Sequence, residues 1–194
     1  MDKLIIVAAL FALGLWIWSE YFRAIPNLEQ AGVLKNFQVE SIEPHQAEYR
    51  VLAKQYYGPE RRTIHPASPV VGSFNDLAYV SNIDLLLVAP KVSSTVFKPF
   101  KLEQDRHCFN MTATDAQANP ANIQPHLLNL SVIAASEVVA NKVRRLKADQ
   151  RIRLQGDWVQ VKSATSQQEF QVGIGNPRSD QCRLFRITDL KVLD

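Results

Sequence analysis

The chain has 194 residues, 46% of them hydrophobic and 21% charged, with a formal net charge of +3. That length suits one domain with a sizeable core, and that apolar share excludes an intrinsically disordered chain. Two cysteines exclude a disulfide-dense miniature scaffold, and so small a net charge names no partner by itself. The charge is unevenly spread, however. Residues 136–194 hold 11 Lys/Arg against 7 Asp/Glu, so this part is mildly basic while the rest sums to −1. A mildly basic module suits an acidic surface, and it equally suits ordinary solubility.

The first segment, Leu4 to Trp18, is uninterrupted by charge. As a helix it covers ~22 Å, short of the ~30 Å hydrocarbon layer, so Ser19 to Ile25 is expected to extend it. Trp16, Trp18, Tyr21 and Phe22 would then form an interfacial aromatic belt. No small-x-small site follows the apolar run. An uncleaved transmembrane signal-anchor over residues 1–25 is therefore expected, ahead of a cleaved signal peptide or a buried core helix. Lys3 favours the N terminus inside. The expected placement is a bacterial inner-membrane protein, single-pass through Leu4–Trp18, with its soluble domain in the periplasm.

Residues 26–35 read as a polar linker and 36–194 as the soluble domain. Phe37 and Val39, then Tyr49, Val51 and Ala53, alternate with polar residues, while Glu43-Pro44-His45 interrupts them. Two strands, paired as a hairpin, are expected. Residues 58–69 hold three prolines and read as an exposed irregular loop. Asn82 to Ala89 is a short apolar run closed by Pro90, open between buried strand and short helix. Val96, Phe97, Phe100 and Leu102 predict another strand region, and 109–125 a loop with strand edges.

Residues 136–194 read as a barrel-forming module. Val139, Val143 and Leu146 share one helical face, with Ser136 as N-cap, Glu137 in the first turn, and Arg144, Arg145 and Lys147 at the end. Arg151 to Val161 predicts a strand. Ile152 and Leu154 carry its apolar face until Gly156, after which Val159 and Val161 do, with Trp158 opposite. A parity change at a glycine predicts a bulge or bend. Phe170, Val172 and Ile174 predict a strand, residues 175–180 a turn, and Cys182 to Val192 a last strand. The expected fold class is α+β: a transmembrane helix, then a mostly antiparallel β domain with a small OB-like barrel and one or two short helices.

Leu127-Leu-Asn-Leu-Ser-Val-Ile-Ala-Ala-Ser136, the helix after it, Arg151 to Val159 and the ending Cys182 to Leu193 resemble a family of bacterial single-pass membrane-anchored proteins of unknown function. Asn82-Ile-Asp-Leu-Leu-Leu87 matches an internal motif of that family. The resemblance is carried mainly by the last third of the chain. It departs at Arg183, where the family has an acid, and at Gln168 to Val172, where the family has a tryptophan hairpin. It implies an architecture and a location, and supplies no catalytic residue.

Few residues present themselves for chemistry. Cys108 and Cys182 could form a disulfide or remain two buried thiols. His107 beside Cys108 invites a thiol–imidazole reading, yet neighbours on a strand point to opposite faces. His45, His65, His107 and His126 have no metal-ligand spacing, and no phosphate loop, dinucleotide fingerprint or nucleophile elbow occurs. No catalytic, metal or cofactor site is therefore expected. Arg151, Arg153, Trp158, Lys162 and Phe170 form a candidate binding face, a basic-plus-aromatic set of the kind that takes single-stranded DNA. The leading expectation is a non-enzymatic accessory or scaffold subunit of a cell-envelope assembly with protein partners. The alternatives are a binding module for an acidic polymer, and a hydrolase or thiol enzyme built on loops 58–69 and 107–126 around His65, His107 and Cys108.

Overall fold

The computed structural model describes residues 2–21, 24–58 and 74–193, without the side chains of 2–3, 16–21, 74–76 and 94. Helix α1 spans Asp2–Tyr21, and a short α2 spans Val33–Asn36. Strand β1 is Phe37–Tyr56, β2 Ile83–Val88, β3 Phe100–Asp105, β4 Cys108–Ala113 and β5 Leu127–Ala134. Helix α3 is Glu137–Arg145, followed by β6 Arg151–Ser163, β7 Glu169–Phe170 and β8 Cys182–Val192. The described protein is thus mostly β.

Among the described residues no helix is long and apolar enough to cross a membrane. This corrects the transmembrane segment and the inner-membrane, periplasmic placement. The physical reason is length: the uncharged run of α1 reaches ~24 Å, and Asp2, Lys3 and Glu20 bound it. The expected aromatic belt at Trp16, Trp18, Tyr21 and Phe22 lies outside the described side chains. Residues 24–36 are built into the domain. Ile25 and Val33 are buried, Asn27 bridges to Ala134, and the Leu28 amide donates to the Ala134 carbonyl at 3.0 Å.

The expected barrel confined to 136–194 is also corrected. The C-terminal strands belong to one six-stranded sheet of order β1-β2-β5-β8-β6-β7, half of it drawn from residues 37–134. The reason lies in the pairing of β8. One of its edges runs parallel to β5 and only the other is antiparallel to β6, so the last 59 residues leave β8 without one neighbour. A separate two-stranded hairpin, β3-β4, lies over one face of β2 and β5.

The two strands expected near residue 40 are one continuous strand. Phe37 to Arg50 of β1 pair with β6, and Arg50 to Tyr56 pair with β2. Pro44 lies within this strand, registered against Asp157. At that point β1 has a neighbour on one side only among the described strands, so the missing N–H costs no ladder bond there. The hairpin expectation fails because β1 turns nowhere; a bulge at Ile42 re-aims it instead.

β2 is a strand, buried along its whole length. Ile83, Leu85 and Leu87 face the main core, while Leu86 and Val88 face the β3-β4 hairpin. Burial on both faces explains why its sequence is a continuous apolar run rather than an alternation. In α3 the Ser136 hydroxyl accepts from the Val139 amide at 3.3 Å, and Val139, Ala140 and Val143 are buried against the same core. The other end of α3 is held by Lys54 of β1, whose ammonium donates to the Arg144 and Leu146 carbonyls at 2.7 and 2.9 Å.

The bulge expected at Gly156 is present as a register shift between Gln155 and Gly156 in the β6–β8 ladder. A Cβ at Gly156 would overlap the Arg186 carbonyl and come within 2.9 Å of the Phe185 ring. Ile152, Leu154 and Trp158 face the main core, and Val159 and Val161 a second cluster with Phe37 and Phe170. The strand expected over Phe170 to Ile174 shrinks to two residues, because β6 ends at Ser163 and offers partners only to Glu169 and Phe170.

Candidate functional site

The densest polar cluster among the described residues lies under the β3-β4 hairpin. Asp84 of β2 is registered against Ser131 of β5, and Asn129 precedes Ser131 by two, so all three share a face. Apolar neighbours on both strands carry them into the interior, where each is 0% exposed. The hairpin delivers the fourth member, His107. Its two-residue turn, Arg106-His107, has φ of 48° and 57°, as a type I′ turn requires. Neither residue is glycine, so holding both there costs on the order of 1–2 kcal/mol each.

The cluster offsets that strain. His107 Nδ1 donates to Asp84 Oδ1 at 2.9 Å, and Asn129 Nδ2 donates to Asp84 Oδ2 at 2.7 Å. Gln104 Nε2 donates to Asn129 Oδ1 at 2.8 Å. Ser131 Oγ lies 3.2 Å from the same His107 Nδ1. The Tyr57 ring stacks on the His107 imidazole at 4.1 Å, and its hydroxyl accepts from the His107 amide at 3.3 Å. Burial, then the Asp84 charge, raise the Tyr57 phenol well above its ordinary value.

Serine, histidine and aspartate in contact invite comparison with a nucleophilic triad. In a triad the acid holds one imidazole nitrogen and the serine hydroxyl uses the other. Here acid and hydroxyl converge on Nδ1, so the proton given to Asp84 leaves that nitrogen no lone pair for Ser131. The group works as an internal anchor: a carboxylate satisfied by two donors, pinning the hairpin to the sheet.

The adjacent Cys108 is disulfide-bonded to Cys182, with their Cα atoms 5.1 Å apart. The bond ties the hairpin to the first residue of β8, across a sequence separation of 74. A thiol enzyme on Cys108 has no free thiol to use. The imidazole of His107 turns to Asp84 and Ser131 instead. Of the other histidines, His45 meets the Tyr49 hydroxyl at 2.8 Å, His126 is exposed, and His65 lies outside the described residues with most of loop 58–69. Among the described residues no group of three or more His, Cys, Asp or Glu is placed to hold a metal.

The expected binding face is not brought together as a stacking platform. Arg153 and Arg151 reach the same carboxylate, Glu48, at 2.6 and 3.6 Å, and Lys162 meets Glu40 at 3.3 Å. The Arg153 hydrogen bond is the main cause of a lowered Glu48 pKa. Trp158 is 7% exposed, T-shaped on Phe185 at 4.9 Å, with the Arg183 guanidinium 3.9 Å above its ring. Phe170 is as buried, tilted against Phe37 at 5.6 Å. Both aromatics face core clusters, so neither is offered to a base.

The sequence reading missed Asp84, Asn129 and Ser131. Their signal was available: single polar residues at alternate positions inside runs otherwise apolar, where an unpartnered group would be costly. Compared with family models, with curated proteins and with solved structures, the chain finds no match.

Proposed function

We propose that this protein works by contact, as a non-enzymatic accessory or scaffold module that holds a partner, with no membrane anchorage in the reading. The observation that carries it is the wiring of the Asp84–His107–Ser131 group. Its serine, histidine and aspartate are sealed inside and converge on one nitrogen. Burial of Trp158 and Phe170 and the Cys108–Cys182 bond support the same reading, since these candidate reactive and stacking groups are engaged in the fold.

The test is cross-linking in intact cells combined with substitution. The wild-type chain should appear in an adduct heavier than its own 21.9 kDa. Ser131→Ala should leave that adduct and the cellular phenotype unchanged at equal protein abundance. A chain recovered only as a partnerless monomer, or a Ser131→Ala protein that is abundant yet inactive, would overturn the proposal.

A further inference from the structure

One stretch of this chain is densely positive. Residues 142–153, from the last turns of α3 into β6, hold six Lys/Arg and one acid, Asp149. The fold adds to that segment. Arg50 of β1 is registered against Arg151, and its guanidinium donates to the Asp149 carbonyl at 3.3 Å. Lys191 of β8 is registered against Arg153. Among the described residues, Glu48 is shared by Arg151 and Arg153, and Asp189 meets Lys142 at 3.1 Å. Arg144, Arg145 and Lys147 have no ion-pair partner among the described residues, and Arg145 and Lys147 are exposed. Eight Lys/Arg against three acids give the described part of this surface a net +5, on a chain whose total is +3.

We propose that this surface, at the end of α3 and the outer face of β1, β6 and β8, binds the phosphate backbone of duplex nucleic acid without reading its bases. The inference rests on the contact reading above and names the partner's chemistry. Protein interfaces draw most of their energy from a few packed Trp, Tyr and Arg anchors, and residues 142–153 contain no aromatic side chain. Their apolar members, Val143, Leu146, Ile152 and Leu154 beyond them, are buried in the core rather than presented outward. The same lack of aromatics removes the base-stacking platform on which single-strand binders rely. What remains is charge against charge. Five of the eight cations are arginine, whose planar fork matches a phosphate bidentately.

The experiment is fluorescence anisotropy of the full chain with a labelled duplex. With at least three phosphates engaged, affinity should fall at least about forty-fold between about 50 and about 200 mM salt. The triple variant Arg144→Glu, Arg145→Glu, Lys147→Glu should lose binding, with folding checked by its thermal melt. Charge reversal at Lys35, Lys91 and Lys98, exposed lysines elsewhere, should leave binding intact. Absence of binding at the lower salt, binding indifferent to salt, or an unaffected triple variant would each overturn the proposal. So would displacement of duplex by polyglutamate at lower concentration than by unlabelled duplex, which would assign the surface to an acidic protein. Preference for single strands with quenching of tryptophan fluorescence would assign it to base stacking, and overturn it too. Any of these failures leaves the contact reading standing wherever the cross-linked adduct is still recovered.

Discussion

His107 is held in a left-handed conformation that residues with side chains rarely adopt, and Asp84 is the group that makes the position tolerable. Removing that carboxylate takes an acceptor from two buried donors, Asn129 Nδ2 and His107 Nδ1, the latter keeping Ser131 Oγ at 3.2 Å. Asp84→Ala should therefore cost about 3 kcal/mol in urea unfolding, with Asp84→Asn costing less because it keeps the shape and one acceptor. Tyr57 makes a separate prediction. Its phenol is raised in the folded state, so the neutral form is the one the fold prefers. Stability from that preference is complete below the ordinary tyrosine value, about 10, and drains away as the pH climbs beyond it. Half-buried Tyr49, raised by burial, acts in the same direction. Denaturant titrations at increasing alkaline pH should show stability falling, and Tyr57→Phe should flatten that fall. A variant as alkali-sensitive as wild type would remove Tyr57 from the account.

Among the elements, the β6–β8 contact at Gly156 is the tightest constraint. Gly156→Ala must push the Arg186 backbone and the Phe185 ring aside together. A loss of about 3 kcal/mol or more is expected, read as a lowered denaturation midpoint. This bend was legible in the sequence because a parity change at a glycine is a local signal. The helix of Glu137–Arg145 was legible for the same reason, its cap Ser136 and its apolar face to Leu146 lying close together in the chain. Pro44 misled because its tolerance depends on β1 having one neighbour there, a fact held by β6 more than a hundred residues away. Val172 and Ile174 misled in the opposite sense: the alternation was real, but among the described residues no strand lies beside them to make it a ladder. The polar cluster needed both kinds of knowledge. Asp84, Asn129 and Ser131 stood out in apolar runs, yet only the hairpin brings His107 to them.

For the molecule as a whole, the Cys108–Cys182 bond joins the hairpin layer to the sheet across 74 residues. On the chain-entropy account, closing a loop of that length stabilises by about 4 kcal/mol. The Cys108→Ala, Cys182→Ala double variant should unfold at correspondingly lower denaturant, and added reductant should bring wild type towards it. Equal midpoints would show that the core clusters around Phe109 and Phe185 carry the layers without the bond.

The two ends of β1 place an unusual demand on synthesis. Its first residue, Phe37, is registered against Ser163, so the earliest strand made waits for nearly the whole chain before it acquires that partner. Pairings so distant in sequence fold slowly, and an unmated edge of this length invites a neighbouring nascent chain to dock in its place. Refolding yield should consequently decline with protein concentration even where the finished protein is stable.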